Sequence, residues 1–238
     1  MKPEIHRFDD EAGLAEQAAS FIVGQACEAV SERGRFSMAI SGGNSPRGLF
    51  AALASESFSK EMPWASTHLF WVDERLVSPK SPDSNFGMAS GLLISKVDIP
   101  KGNVHRIPVE LMNPTKIAAA YEGELIRFFE GSDWALLDLA LLGVGTDGHT
   151  ASLFPGSKLL GSKSWVVPVP DPATEPGHPR ITMTLEFINR ARCAAFVVIG
   201  EGKRAVVDGI LSGEPSSEEL PAAMVKPPSE LVWFILAS

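Results

Sequence analysis

The residues best suited to chemistry lie near the middle of the chain, where an acid and an imidazole follow a turn. An apolar run over 136–142 predicts a buried strand, interrupted only by Asp138. Of the six residues that follow, 143–148, three are glycine, and Asp147 and His149 stand at the end of this stretch. Ligands of open α/β sheets bind beyond the carboxyl ends of the strands. The stretch therefore stands where a site is expected.

The same glycines match the dinucleotide-binding pattern G-x-G-x-x-G, but their surroundings do not. The pattern requires a helix directly after the glycines, whereas Pro155 and Gly156 follow almost at once. It also requires an acidic residue at the end of a later strand, about 20 residues on, and none is found there. The glycines are interpreted instead as a turn that presents Asp147 and His149.

His149 is interpreted as a general base. Unlike the other four histidines, it has both an acid two positions earlier and a glycine between them that allows the turn. Imidazole has an ordinary pKa of about 6.5, which suits it to take a proton from water. The sequence has no serine in a G-x-S-x-G elbow and no second histidine or cysteine spaced for a metal site. General-base activation of water is the chemistry that remains.

A second glycine turn, Ser41-Gly42-Gly43, lies between a predicted strand and a predicted helix. Ser45 is placed to cap that helix, and Pro46 suits its first turn. Glycine lets the backbone approach an anion, and a helix N-terminus offers N–H groups and a favourable dipole. The motif suits a phosphate, although it lacks the ending of a Walker loop. A plain tight turn explains it equally well.

Three cations at other junctions are candidates for binding the same anion. Asp73 and Arg75 follow a buried strand directly, and an arginine held there can make a bidentate contact with phosphate. Lys203 follows a later strand, and Arg180 precedes Ile181. Each cation alone is more typical of a solvated surface. Together they would give an acidic protein the local positive charge that a phosphorylated substrate requires.

Strands and amphipathic helices alternate along the chain, which predicts a mostly parallel, doubly wound sheet with helices on both faces. No linker or repeat divides this three-layer αβα fold, so residues 1–238 are expected to form one domain. Residues 170–179 are too rich in proline to be regular. The predicted strands cover 36–40, 68–72, 104–107, 136–142, 164–169, 194–199 and 231–236, and the predicted helices 9–33, 46–57, 85–95, 113–131, 185–192 and 200–211.

Composition is that of an ordinary globular protein, with 45% hydrophobic and 21% charged residues. The net charge of −8 and the lack of a Lys/Arg block predict no nucleic-acid partner. No apolar run approaches the roughly 18 residues of a membrane span, and charges near the N-terminus argue against a signal peptide. Cys27 and Cys193 are expected to be buried free thiols, and the protein to be cytoplasmic.

In this order the motifs resemble those of the 6-phosphogluconolactonase family, over nearly the whole chain. The matching stretches are 41–46 (SGGNSP), 71–75 (WVDER), 83–87 (DSNFG), 142–156 (LGVGTDGHTASLFPG), 180–182 (RIT) and 200–203 (GEGK). The fourth stretch is highly specific. The resemblance implies hydrolysis of 6-phospho-D-glucono-1,5-lactone to 6-phosphogluconate, in the oxidative pentose phosphate pathway, without a metal or organic cofactor.

The resemblance also implies a role for each candidate residue. His149 would take a proton from the attacking water, Asp147 would orient its imidazole, and glycine N–H groups would stabilise the oxyanion. A monomer or weak homo-oligomer is expected. The substrate and its phosphate are expected to contact Ser41, Gly42, Gly43, Asp73, Arg75, Arg180 and Lys203.

Glucosamine-6-phosphate deaminase is the closest alternative, since it shares the fold and a similar Gly-Asp-Gly-His stretch. That family has a glutamate seven positions after the aspartate, where this chain has Phe154, and Asp-Glu-Tyr in place of residues 73–75. Both differences favour the lactonase. A non-catalytic sugar-phosphate-binding regulator is the third interpretation, but it would need a DNA-binding segment, for which neither end has room or charge.

Overall fold

A parallel sheet of seven strands forms the centre of the protein, and helices flank it. The computed structural model describes residues 2–131, 136–170, 177–214 and 219–236. The strands are β1 (Glu4–Arg7), β2 (Phe36–Ile40), β3 (Thr67–Trp71), β4 (Asp73–Arg75), β5 (Val104–His105), β6 (Leu139–Leu142), β7 (Val166–Val169), β8 (Arg180–Met183), β9 (Cys193–Ile199) and β10 (Glu230–Leu236). The central sheet has the order β1-β10-β9-β6-β2-β3-β5, and all its pairs are parallel. The predicted fold class is confirmed.

The helices lie between the strands as the sequence predicts, although most are shorter. In the described ranges, no helix is both long enough and apolar enough to cross a membrane. Residues 171–176 of the predicted proline-rich loop lie outside the described residues. The helices are α1 (Glu11–Arg33), α2 (Arg47–Leu53), α3 (Glu56–Glu61), α4 (Asn85–Leu92), α5 (Pro114–Phe128), α6 (Leu185–Ile188) and α7 (Arg204–Ser212), with 3₁₀ turns at Trp64–Ser66, Ile94–Lys96, Lys101–Asn103, Val109–Leu111, Lys158–Gly161 and Glu201–Lys203.

The order of the strands reverses between β2 and β6. From β2 the chain proceeds through β3 to β5 on one side, and from β6 through β9 to β10 on the other. The crevice beyond the carboxyl ends of two such strands is the usual ligand site of an open α/β sheet. The Ser41 hydroxyl, just after β2, donates to the Leu141 carbonyl of β6 at 2.5 Å. The two glycine turns therefore begin side by side.

The central strands are apolar because both of their faces are covered. Every residue of β2 and β6 is buried, as expected for strands of a parallel sheet with helices on both sides. On neighbouring strands Phe196 and Trp233 are paired in register, and their rings stack at 4.1 Å. This core fixes the strand ends from which the polar turns leave the sheet.

A second sheet, antiparallel and of three strands, was not predicted. It has the order β4-β8-β7 and pairs Asp73 with Thr182 and Arg75 with Arg180. Its first strand is three charged residues long, and that pattern resembles a solvated loop rather than a strand. Strand β1 was missed for a similar reason, since it is a short, largely exposed edge strand. Pairing with distant partners determines both strands.

Two local predictions were wrong. Ser45 does not cap α2, whose N-cap is Pro46 and carries no side-chain hydrogen bond; its hydroxyl instead accepts from the Ile199 N–H at 3.3 Å and from Lys203 Nζ at 3.2 Å. Cys193 is buried but Cys27 is exposed. The Cys27 side chain is directed away from the sheet because it lies one position beyond the buried stripe of α1 at Ala26.

Asp138 is a structural carboxylate at the end of β6 opposite the glycine turn. Its Oδ2 accepts from the Ser37 N–H and hydroxyl, both at 2.8 Å, and its Oδ1 from Arg33 Nε at 3.0 Å. Asp138→Asn would turn one acceptor into a donor facing these donors, so we expect unfolding free energy to fall by about 2–4 kcal/mol. Chemical denaturation checks this value.

The matched control is Asp208→Asn, which breaks an exposed ion pair with Arg7. Exposed pairs contribute less than about 1 kcal/mol. Equal losses in the two variants would contradict the structural role of Asp138.

Candidate active site

A cleft of about 460 Å³ lies beyond the carboxyl ends of β2 and β6. Every residue predicted to contact substrate lines it, together with His149. Asp147 does not line the cleft but supports His149. The lining residues are Ser41, Gly42, Gly43, Asn44, Ser45, Asp73, Arg75, Asn85, Gly143, Val144, Gly145, His149, Ala151, Arg180 and Lys203.

Asp147 holds the imidazole of His149 by one carboxylate oxygen. Its Oδ1 lies 2.6 Å from His149 Nδ1 and also accepts the His149 backbone N–H at 3.1 Å. Burial alone would raise the pKa of Asp147, but the N–H, the charge and the ring hydrogen bond of His149 together lower it. Asp147 is thus an anion at neutral pH, and it favours the tautomer that carries hydrogen on Nδ1. Nε2 is then the nitrogen that can accept a proton.

The turn that carries this pair leaves no room for a side chain at Gly145. The Gly145 N–H donates to the His149 carbonyl at 2.9 Å, and its own carbonyl accepts from Gly148 at 3.0 Å. A Cβ on Gly145 would lie 2.1 Å from His149 Nδ1 and 2.6 Å from Asp147 Oδ1. The glycine is required by close approach of the two side chains, and no α-helix begins within the described residues 143–170, as a dinucleotide motif would require directly after β6.

Two arginines lie side by side on adjacent strands of the second sheet. Arg75 and Arg180 are directly opposed in the β4–β8 ladder, an arrangement that is unfavourable for like charges unless an anion lies near them. Burial lowers the pKa of Arg180, while Asp73 opposes and Arg75 reinforces this shift. Arg75 Nη1 donates to the Asp83 carbonyl at 2.8 Å, but its buried Nε has no acceptor among the described residues. The pair suits an anion such as phosphate.

Lys203 and the first glycine turn complete the cationic end of the cleft. Burial lowers the pKa of Lys203, whose Nζ donates to Ser45 Oγ at 3.2 Å. The backbone N–H groups of Gly42 and Gly43 donate no hydrogen bond to the part of the chain that the structure describes. An anion in the cleft could accept from them. The short helix α2 begins only at Arg47, so the turn itself and not a capped helix would supply the donors.

Sequence reasoning missed the residues that support Asp73. Its carboxylate is buried and accepts from Asn85 Nδ2 at 3.0 Å and from Ser152 Oγ at 2.6 Å. The neighbouring Glu74 accepts from the N–H groups of Asn85 and Phe86, both at 2.8 Å. Burial raises the pKa of Glu74, although these N–H groups oppose that change. Asn85 lies in the matched stretch 83–87, but its type alone did not indicate a role.

Phe154 contacts both ends of the site from outside the cleft. Its ring centroid lies 4.9 Å from that of His149, and Arg180 Cζ lies 5.7 Å from the Phe154 centroid. The contact to the imidazole is therefore apolar at this position. Because residue 154 is phenylalanine, it offers His149 no carboxylate.

The fold and the cleft together define an α/β protein whose site combines an anion-binding group of cations with an Asp–His pair. The family model that describes glucosamine-6-phosphate isomerases and 6-phosphogluconolactonase matches residues 9–233. The chain belongs to this family.

Among its curated relatives is the 6-phosphogluconolactonase of Synechocystis sp., 38% identical over 99% of this chain and 96% of the relative. The crystal structure of 6-phosphogluconolactonase from Thermotoga maritima is 31% identical, with a TM-score of 0.85 over 98% of this chain and 99% of that one. A monomeric glucosamine-6-phosphate deaminase has a TM-score of 0.80 at 16% identity, covering 97% of this chain and 96% of that one. The last similarity concerns the fold alone.

Proposed function

We propose that the protein hydrolyses 6-phospho-D-glucono-1,5-lactone to 6-phosphogluconate, a step of the oxidative pentose phosphate pathway. The observation that carries this proposal is the placement of His149, held by Asp147, in one cleft with Arg75, Arg180 and Lys203. An imidazole that can accept a proton and a group of cations are the two elements that hydrolysis of a phosphorylated lactone requires. The names of the similar lactonases support the same reaction.

At the cationic end, the substrate phosphate would lie between the two opposed arginines and near Lys203. The buried Nε of Arg75 would gain an acceptor, and the charge of Lys203 would gain a counter-ion that it does not have among the described residues. The N–H groups of Gly42 and Gly43 would bind further phosphate oxygens. The Ser41 hydroxyl already donates to Leu141, so it would act on phosphate only as an acceptor or through its backbone.

At the other end of the cleft, His149 Nε2 would take a proton from water as the water oxygen forms a bond to the lactone carbonyl carbon. The carbonyl oxygen becomes an oxyanion, for which N–H groups of the glycine turns are the available donors, each commonly worth about 3 kcal/mol. When the tetrahedral intermediate collapses, the bond to the ring oxygen breaks and that oxygen takes the proton from His149. The carboxylate of Asp147 stabilises the imidazolium between these two steps.

A side-by-side assay of the purified protein on phosphogluconolactone and glucosamine 6-phosphate tests the proposal. We expect lactone loss above the spontaneous rate, in proportion to protein added, and no ammonia, because Phe154 supplies no carboxylate to His149. Ammonia release without lactone hydrolysis would make the protein a deaminase. Binding of both sugar phosphates without turnover of either would make it a non-catalytic binding domain.

We further propose that the protein works in the cytoplasm, as a monomer or weak homo-oligomer. Both cysteines are free thiols, which is usual in a reducing compartment. Sedimentation of the purified protein tests the oligomeric state, and a stable dimer at micromolar concentration would contradict this part of the proposal.

A further inference from the structure

Asp73 is a buried carboxylate whose two oxygens are both engaged by other side chains. Only 4% of the residue is exposed. Oδ1 accepts from Asn85 Nδ2 at 3.0 Å, and Oδ2 accepts from Ser152 Oγ at 2.6 Å. A buried carboxylate is costly unless such bonds compensate for the lost water. The bonds direct both of its oxygens into the protein, although the residue borders the cleft.

On one side, Asp73 is connected to the glycine turn that follows β2. The Asn85 amide also donates to the Asp73 backbone carbonyl at 2.9 Å, so two bonds fix its side chain. The Asn85 Oδ1 atom lies only 1.8 Å from the position that a Cβ on Gly42 would occupy. The backbone at Gly42 therefore packs directly on the Asn85 amide, and a shift of Asn85 would move the turn.

On the other side, Asp73 is connected to Arg180 and to the turn after His149. Arg180 Nη1 lies 3.4 Å from Ser152 Oγ, the same atom that donates to Asp73. The Ser152 N–H donates to Thr182 Oγ1 at 3.2 Å, and Thr182 is the ladder partner of Asp73. Ser152 belongs to the turn in which Ala151 has the unusual φ of 50°. These bonds hold that strained turn in place.

We propose that Asp73 is a positioning residue, which through Asn85 and Ser152 couples the Gly42 turn to Arg180 and to the turn that follows His149. The inference rests on the proposed function, since it assigns the parts of that site. Asp73 binds no phosphate itself, because a carboxylate repels a phosphate and its oxygens are already occupied. Its contribution to phosphate binding is indirect and outweighs that repulsion.

For Asp73→Asn, this proposal and a simple charge effect predict opposite changes in the affinity for phosphate. If Asp73 were only a nearby negative charge, Asp73→Asn would tighten the binding of inorganic phosphate. If Asp73 positions Arg180 and the Gly42 turn, the same variant weakens phosphate binding. The reason is that asparagine has only one side-chain oxygen and cannot accept from both Asn85 and Ser152. We expect phosphate binding about tenfold weaker by calorimetry, and a fall in kcat for the lactone as well as a rise in KM.

Asp83→Asn is the matched control, since the Asp83 carboxylate pairs with His178 and takes no part in these bonds, while its backbone carbonyl, which accepts from Arg75, is unchanged. It is expected to bind phosphate at least as tightly as wild type. Should Asp73→Asn fold poorly, Ser152→Ala removes the hydroxyl that links Asp73 to Arg180 but keeps the Asp73–Asn85 bond, and it is expected to weaken phosphate binding about threefold. Circular dichroism checks the fold of each variant.

Phosphate binding that is unchanged or tighter in Asp73→Asn would overturn the proposal. A rise in the lactone KM with unchanged phosphate binding would also overturn it, because Asp73 would then contact the sugar directly. Phosphate binding is measured without turnover, so this test is separate from that of the proposed function. The proposed function is contradicted if the wild-type protein does not hydrolyse the lactone.

Discussion

Replacing His149 by glutamine is expected to lower kcat for lactone hydrolysis about 10²- to 10⁴-fold, the usual contribution of a general base. Glutamine is similar in reach and can still donate to Asp147, but it cannot accept a proton from water. His149 lies in a turn whose backbone bonds involve Gly145 and Gly148 rather than the imidazole. The loss should therefore appear in the reaction and not in the fold, and steady-state kinetics measure it.

Two observations separate catalysis from folding or binding in this variant. Inorganic phosphate should bind His149→Gln as it binds wild type, because the cations of the cleft are unchanged. His6→Gln makes the same substitution on the edge strand β1, outside the cleft, and should retain wild-type turnover. Loss of phosphate binding in His149→Gln would instead assign His149 to the phosphate end of the site.

Gly145→Ala is expected to lower kcat about 100-fold with little loss of stability. The new methyl group would occupy space within 2.1 Å of His149 Nδ1, so the imidazole and the Asp147 carboxylate must both move. Gly145 does not have a positive φ, so alanine is disfavoured there by the two side chains and not by the left-handed region of the backbone. Displacement of a catalytic group by about 1 Å commonly costs 10²-fold in rate. Steady-state kinetics and a thermal melt measure the two effects.

Gly143→Ala is the matched comparison, since this glycine lies in the same turn and no heavy atom comes within 4 Å of its added Cβ. Its effect on kcat should be at least about tenfold smaller, because the methyl group displaces neither Asp147 nor His149; since Gly143 lines the cleft, any effect is expected in KM. Equal losses in the two variants would mean that the turn, rather than the space beside His149, limits the rate.

Much of the fold could be predicted because its signals are local. Strands such as β2 and β6 are buried on both faces, so they appear in the sequence as unbroken apolar runs. Helix α1 has an acidic N-cap at Asp10 and ends at Gly34 in the left-handed region. The polar turns that follow buried strands marked the cleft, because parallel strands bring their carboxyl ends to one edge.

The rest could not be predicted because it depends on partners distant in sequence. The opposition of Arg75 and Arg180 arises from antiparallel pairing between segments more than 100 residues apart, and β4, with three charged residues, has no apolar pattern. Likewise, nothing in the types of Asn85 and Ser152 indicates that they share one carboxylate. Ser45 was assigned to the wrong partner because the end of β9 and Lys203 reach its hydroxyl in three dimensions.

The role of His149 in lactone hydrolysis is best measured by the rate of acid release from phosphogluconolactone in a pH-stat, with wild type and His149→Gln compared at saturating substrate. Hydrolysis of the neutral ester converts it to a carboxylate and one proton, so the titrant consumed reports the reaction itself. After subtraction of spontaneous hydrolysis, we predict rapid acid release by wild type and a rate at least about 100-fold lower for the variant. Equal rates in the two proteins would exclude His149 as the general base, and no acceleration by wild type would exclude lactone hydrolysis as the activity.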